Sequence, residues 1–414
     1  MLSAIWRLRG YNGGAFRVQS LREVDVHDKR VLVRVDFNVP IDKKGSIIDD
    51  TRIRESLPTL RYLADQGARV IAVSHLGRPK GKPVDEFRMD KVAEHLSLLL
   101  KKPVLKVDDC IGPRVKEAIE AMKPGDIIVL ENVRFHPGEE ANDPEFSRQL
   151  AELADIYVND AFGAAHRAHA SISGVPTLLP SVPGFLLEKE VTMLSKVING
   201  AEKPKVAIVG GAKVADKLSL LKNLVKNMDV LIIGGAMANT FLKAQGYNIG
   251  KSVYEESLLG KAWEIIDYSR ECSTKLLLPV DVVVADHFAE NAGHQTVPVD
   301  QVPEGWMILD IGPETVKMYQ HYIDQARTVF WNGPLGVYEF EAFSSGTNGV
   351  ARAIASAAAI SVVGGGDSLA VVYNLGLQNG ITHVSTGGGA TLEFLEGKQL
   401  PGLESCDFRQ HMVG

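Results

Sequence analysis

Residues 205–217 read KVAIVGGAKVADK. Four apolar residues, Val206, Ala207, Ile208 and Val209, run into Gly210 and Gly211; Lys213 and Lys217 follow, four residues apart. The pattern predicts a strand, a tight turn and the start of a helix. Glycines let a backbone pass close to a ligand, and a helix start presents unpaired N–H groups and the positive end of its dipole. On a helix Lys213 and Lys217 would share one face, one turn apart. Converging amides and two ammonium groups suit a polyphosphate. A plain strand-to-helix turn with two surface lysines would read the same way, and the spacing of a Walker A loop is absent. The surroundings must decide.

The same unit recurs along the chain: a short β-branched run, a polar or glycine-rich corner, then a helical pattern. VLVRV at 31–35 leads to DFNVP, VIAV at 70–73 to SHLGR, IIVL at 127–130 to ENVRF, and IYV at 156–158 to NDAFGAAHRAH. In the second half VAIV leads to GGAK, VLII at 230–233 to GGAMANT, TVFW at 328–331 to NGPLG, ISVV at 360–363 to GGGDS, and THVS at 382–385 to TGGGA. Continuous apolar strands alternating with helices predict parallel sheets covered on both faces. Periodicity places helices at 89–100, 113–122, 367–378 and 51–66; in the last, Pro58 predicts a late start or a kink. Residues 185–199, FLLEKEVTMLSKVIN, lie between PSVPG and Gly200 and read as a rigid connector helix. A closed barrel would use the same repeat, but unequal strand spacing and the connector favour two open sheets.

Composition agrees. A chain of 414 residues is too long for one ordinary core, so two domains of roughly 200 residues are expected. Hydrophobic residues at 45% and charged residues at 23% are the balance of a soluble globular protein. A net charge of −6 gives no global attraction for nucleic acid, so any phosphate affinity must be local. Cys110, Cys272 and Cys406 lie far apart without a CxxC, which argues against a disulfide framework or a zinc site and for the cytoplasm. No apolar run is long enough to span a bilayer. Residues 1–22 hold Arg7, Arg9, Arg17 and Arg22 and no acid, as a transit peptide would. The glycines between 10 and 14 spoil an amphipathic helix there, so an extension without a role is the favoured reading.

In open parallel sheets, ligands bind past the carboxyl ends of the strands. The first-half corners are cationic: Arg52, Arg78, Arg134 and Arg167 join His75, His166 and His169, with Asp36 and Asn38 beside them. Arginine forks bind phosphate or carboxylate bidentately, so a small, strongly anionic substrate is expected, its hydroxyl met by the acid and the amide. Any one arginine would more simply be a surface ion pair; four at matching strand ends are not. His166 and His169 suggest metal ligands, but no third ligand is spaced for them. The second-half corners are glycines at 210–211, 234–235, 364–366 and 387–389, beside Lys213, Lys217 and Asp367. Amides and lysines suit nucleotide phosphates, and a lone aspartate suits the accompanying Mg²⁺. Glu339 would accept from ribose hydroxyls or merely favour a helix start. No GxGxxG opens a corner, so the hydride-transfer fingerprint is absent. Phosphoryl transfer, with domains closing to exclude water, is the simplest reaction.

RVDFNVP, SHLGRP, ENVRF, VNDAFGAAHRAH, GGAKVADK, WNGPLGVYE, GGGDS and STGGGA, in this order, resemble the phosphoglycerate kinase family over nearly the whole chain, from about residue 21 to about 403. The resemblance implies two Rossmann-like three-layer α/β/α domains with parallel sheets, joined by the connector helix. It implies reversible transfer between ATP and the carboxylate of 3-phosphoglycerate, with small-molecule partners only and a monomeric enzyme. Carried over, the acid site falls on Asp36, Asn38, Arg52, His75, Arg78, Arg134 and Arg167. The nucleotide site falls on Lys213, Lys217, Gly312, Asn332, Glu339, Gly365, Gly366, Asp367 and Ser368, with Asp367 near Mg²⁺; the glycine corners themselves add Gly211, Gly235 and Gly364. Arg52 is the implied main catalytic group, assisted by Lys213 and Lys217, with Arg52 and Lys213 meeting on closure. The expected organisation is a poorly ordered extension at 1–20, an acid-binding domain at 21–184 joined by the tail 403–414, the connector at 185–199, and a nucleotide domain at 200–402. The extension and the tail sequence SCDFRQHMVG depart from the family pattern, while the length is of the bacterial type. A non-catalytic nucleotide-binding protein on the same fold is the rival; it predicts a loss among Arg52, Lys213, Lys217 and Asp367, and all four are present. A different small-acid kinase is the second rival, disfavoured by the set of Asp36, Asn38 and four arginines.

Overall fold

The computed structural model describes residues 5–6, 16–17, 20–42 and 44–404, so most of the extension and the tail beyond 404 lie outside the described residues. The chain divides into two units, one of residues up to 192 together with those from 399, the other of residues 193–398.

In the first unit the apolar runs become a six-stranded parallel sheet. Its strands are β1 (Arg30–Val35), β2 (Arg69–Val73), β3 (Leu105–Lys106), β4 (Ile127–Val129), β5 (Ile156–Asp160) and β6 (Ser181–Pro183), in the order β3-β4-β2-β1-β5-β6. Alternate side chains point to opposite faces. Val31, Val33 and Val35 share one core with Leu57, Leu60 and Leu63 of α1 (Thr51–Asp65) and Val92 and Leu96 of α2 (Asp90–Leu100). Leu32, Ile71 and Ile128 share the other with Val115 and Ile119 of α3 (Pro113–Glu120) and Phe146 and Leu150 of α5 (Pro144–Ala151), which follows the short α4 (Pro137–Glu140). Helix α5 starts sharply because Asp143 accepts from the Phe146 amide at 2.8 Å and Pro144 opens the first turn.

Helix α1 settles one half of the expectation at Pro58. It starts at Thr51 and runs through Pro58 without a late start. Pro58 leaves the Arg54 carbonyl without its amide, but Pro58 and Arg54 both lie on the exposed face of the helix.

Helix α6 (Phe185–Asn199) takes its N-terminal bonds from other elements. Asp160, at the end of β5, accepts from the Leu186 amide at 2.9 Å and the Leu187 amide at 3.3 Å. Thr59 of α1 accepts from the Phe185 amide at 2.9 Å. A Cβ at Gly184 would fall 2.2 Å from the Asp160 carboxylate, so only glycine fits there.

The second unit repeats the plan. β7 (Lys205–Val209), α7 (Leu218–Asn227), β8 (Val230–Ile233), α8 (Ala236–Ala244), α9 (Leu259–Glu271) and β9 (Lys275–Leu277) come first. A six-stranded parallel sheet in the order β9-β8-β7-β13-β14-β15 is completed by β13 (Thr328–Asn332), β14 (Ile360–Gly364) and β15 (His383–Val384). Between them stands a three-stranded antiparallel sheet absent from the sequence reading, with β10 (Asp281–Ala285) between β11 (His294–Pro298) and β12 (Met307–Ile311). Helices α10 (Pro313–Gln325), α11 (Ser345–Ser356), α12 (Gly366–Asn374) and α13 (Gly389–Leu395) follow in turn. Finally α14 (Pro401–Glu404) packs in the first unit: the Gly402 amide donates to Ala165 at 2.8 Å, and Asn159 Nδ2 donates to the Gly402 carbonyl at 3.0 Å.

Both parallel sheets reverse direction. The chain goes from β1 to β2 on one side and returns to β5 on the other; likewise from β7 to β8 and back to β13. Crevices open past the carboxyl ends at such reversals. In the first unit they are flanked by residues 36–38 and 161–167, in the second by residues 210–217 and 333–335.

Candidate active site

In the first unit, Asp36 emerges from β1 and is buried. One of its oxygens pairs with Arg52 at 3.1 Å and the other accepts from the Asn38 amide at 3.2 Å. Arg52, in the first turn of α1, also donates to the Asn38 carbonyl at 3.1 Å. Asn38 Oδ1 accepts from the Gly77 amide at 2.9 Å, and buried Arg134 donates to the Gly77 carbonyl at 2.8 Å. Asp36, Asn38, Arg52 and Arg134 therefore form one connected group around the corner after β2. Arg78 stands exposed beside Gly77. His75 is buried; desolvation first, then the fields of Arg34, Arg134, Arg52 and Arg167, hold it well below the usual imidazole range. It is neutral at pH 7. Arg134 itself is lowered to about 10, chiefly by burial, with Glu140 opposing and Arg34 and Arg167 adding to the fall. Its Nε lies 3.2 Å from Glu140, though without hydrogen-bond alignment. His169 is lowered to about 4 by burial and the same arginines.

Arg34 does not stand out in the sequence. It sits inside β1, 1% exposed. Its Nε donates to Ser171 at 2.7 Å, its Nη2 lies 3.1 Å from His75 Nδ1, and it also bonds the Val35 carbonyl. Ser171 in turn donates to Glu139 at 2.6 Å. The signal was available: a charged residue in a strand covered on both faces needs a built partner set.

In the second unit one expectation is corrected. Lys213 and Lys217 do not share a helical face. Lys213 lies exposed in a loop, residues 215–217 form a single 3₁₀ turn, and α7 begins only at Leu218. Cross-connections delay the helix. Gly210 and Gly211 donate to the carbonyls of Asn332 and Pro334, each at 2.9 Å, and Glu255 accepts from the Val214 and Ala215 amides.

Lys217 turns inward at the sheet reversal. Its Nζ donates to the Gly210 carbonyl at 2.6 Å and to Asn332 Oδ1 at 2.7 Å. Asn332 Nδ2 donates to the Gly364 carbonyl at 2.8 Å, because register places Asn332 between Val209 and Gly364. Ser368 accepts from the Gly333 amide at 2.6 Å. Gly365 has φ +95°, and a Cβ there would meet Asn332 Nδ2 at 2.7 Å. Gly333, which the sequence reading did not select, has φ +91°, and a Cβ there would stand 2.8 Å from Lys217 Nζ. Gly235 donates to Leu335 at 3.0 Å, and Gly211 accepts from the Met237 amide at 2.9 Å. Burial lowers Lys217 to about 8, against the pull of Asp367 and Asp216. Asp367 lies in the first turn of α12 and accepts from the Tyr338 hydroxyl at 3.3 Å. Exposed Glu339 lines a cavity of about 280 Å³ with Tyr338, Asn348 and Val371. Gly312 packs on Asp281 and stands at the N-cap of α10.

A profile of the phosphoglycerate kinase family matches residues 21–398. The chain belongs to the phosphoglycerate kinase family. It is 58% identical over 384 residues to the phosphoglycerate kinase of Moorella thermoacetica, covering 93% of this chain and 98% of that one. The phosphoglycerate kinase structure from Coxiella burnetii matches with a TM-score of 0.88 at 45% identity, over 94% of this chain and 98% of that one. That from Pyrococcus horikoshii matches with a TM-score of 0.76 at 35% identity and the same coverage. Phosphoglycerate kinase activity, transfer of a phosphoryl group to a carboxylate, follows from this membership. Among the described residues no helix is long and apolar enough to cross a membrane.

Proposed function

We propose that the arginine group of the first unit binds 3-phosphoglycerate and that the glycine corners of the second bind ATP or ADP with Mg²⁺. The gathering of Arg34, Arg52, Arg134 and Arg167 around one buried, neutral His75 carries this reading. Asp36 and Glu140 offset part of this positive charge, and an anion with two charged ends relieves the repulsion that is left. Asp36 orients Arg52; Asn38 orients the Gly77 corner.

The attacking group toward ATP is a carboxylate, ionised at neutral pH, so no general base is required. Catalysis reduces to alignment and positive charge at the moving phosphoryl group. Arg52 supplies that charge from the acid site, and Lys213 and Lys217 from the nucleotide site. Gly211, Gly235 and the 364–366 corner bring backbone amides to the phosphates, Asn332 and Ser368 brace that corner, and Glu339 receives the ribose. For Mg²⁺ the donor set fits a nucleotide-borne ion. Asp367 offers a single carboxylate, whereas Mg²⁺ demands six oxygens and takes the rest from phosphates and water. When bound, the ion neutralises phosphate charge. Small molecules are the only partners required, and a cytoplasmic monomer suffices.

A coupled assay with 3-phosphoglycerate, ATP and Mg²⁺ tests the reading. Arg52→Ala is expected to lower kcat by about 100-fold or more while nucleotide affinity stays within about twofold. Near-normal turnover would remove Arg52 from its role, and nucleotide binding without any turnover in the wild type would return the non-catalytic rival.

A further inference from the structure

Outside the sites above, one cluster has the chemistry of a metal centre. Asp109, Cys110 and His136 bring a carboxylate oxygen, a thiol sulfur and a ring nitrogen within 4.8 Å of one another. The pair Asp109–Cys110 lies on the loop after β3, and His136 follows the turn at 133–135. His136 Nε2 is 2.7 Å from Asp109 Oδ1. The His136 ring stacks on Phe146, with centroids 4.9 Å apart, which fixes the direction of its nitrogen. Cys110 is buried and its Sγ donates to the Glu131 carbonyl at 2.8 Å, while Asp109 and His136 are open to solvent on one side. Burial first, then the fields of Asp109, Glu131 and Glu139, hold the Cys110 thiol well above its usual range, with Lys106 opposing, so a bound cation must displace its proton.

We infer that Asp109, Cys110 and His136 form a binding site for a thiophilic divalent cation of the Zn²⁺ class. One sulfur, one nitrogen and one oxygen are the donors such a cation takes in tetrahedral geometry, with the fourth position left to water. Mg²⁺ is the wrong ion here, because only one donor is a hard oxygen. Bond lengths of about 2.0–2.3 Å place tetrahedral ligands roughly 3.3–3.6 Å apart, so the Asp109 oxygen and the His136 nitrogen, 2.7 Å apart, must part to admit the ion, while the sulfur, within 4.8 Å of both, closes in. The exposed Asp109 side chain has room to do so. On binding, the sulfur–hydrogen bond breaks and its proton goes to solvent, the metal–sulfur bond forms, and the Glu131 carbonyl loses its donor. No oxidation occurs. The spacing of cysteines alone argued against zinc; folding assembles the ligands from two loops.

The test is titration of the full-length, metal-stripped chain with Zn²⁺ in competition with a chromophoric chelator, with Cd²⁺ as a spectroscopic probe. One Zn²⁺ per chain at micromolar affinity or tighter is expected, together with an ultraviolet cadmium–thiolate band. Cys110→Ser should abolish the band, and both Cys110→Ser and His136→Ala should weaken Zn²⁺ at least tenfold. Circular dichroism checks that the variants fold; should Cys110→Ser not fold, His136→Ala and the exposed-site variant Asp109→Asn decide. Wild-type affinity in the folded variants, a band that survives in Cys110→Ser, or no Zn²⁺ binding by the wild type would each overturn the assignment.

Discussion

Lys217 shows how folding sets the charge of one residue. It is caged by the Gly210 carbonyl and the Asn332 side chain, and burial lowers it to about 8. It is therefore protonated below pH 8 and loses its charge as pH rises through that value. Nucleotide affinity measured by calorimetry should hold from pH 6 to about 7.5 and then weaken, by up to about tenfold per pH unit, until the pKa of the bound state is passed. Lys217→Met should bind nucleotide weakly and without that pH dependence; an unchanged profile would put the titration elsewhere. At this scale the sequence was partly legible. Lys217, Asn332 and Gly365 were selected from the corners and now share one set of contacts. Arg34 does not stand out because VLVRV reads as core and its partner Ser171 lies 137 positions away.

Among elements, α6 depends most on others for its start. Burial raises Asp160 to about 7 despite the hydrogen bonds to its carboxyl from Thr59 and from the Leu187 and Leu186 amides. The folded value lies above the unfolded one of 3.8. The group thus favours the fold fully below about pH 4, and that contribution is lost as pH rises through 7. Asp160→Asn, which keeps the accepting oxygen, should flatten the pH dependence of Tm between pH 5 and 8; an unaltered slope would show that Asp160 does not titrate there. Gly184→Ala forces a Cβ into the Asp160 carboxylate. It should cost on the order of 2 kcal/mol or more in denaturant unfolding, with m unchanged. Element type was legible wherever apolar runs or helical periodicity were strong. Element starts were not. The helix after Gly211 waits for Leu218 because Glu255, distant in sequence, holds the intervening amides. Strand β11 was invisible because four of its five residues, His294, Gln295, Thr296 and Pro298, are exposed and show no apolar alternation.

For the whole molecule, the repeated strand–corner–helix unit was enough to anticipate two parallel sheets, and the motifs were enough to anticipate the family. The three-stranded sheet was not anticipated, since local pattern does not report which strands find one another. A chain ending at residue 398 tests the return of the tail. It leaves Asn159 Nδ2 buried without the Gly402 carbonyl, a loss of about 1–3 kcal/mol. It also uncovers Ala165 and Ile172, against which Gly402 packs. The first-unit transition should move to lower denaturant in that truncation; an unmoved midpoint would show that residues 399–414 add nothing.

That return has a bearing on biosynthesis. Asn159 waits 243 positions for its acceptor. While the ribosome is still delivering the later strands, the earlier half of the nascent protein has every strand of its sheet but lacks its closing piece. It must persist as an almost-finished intermediate until residue 402 has left the ribosome, and that is when it is most open to proteases and most in need of a chaperone.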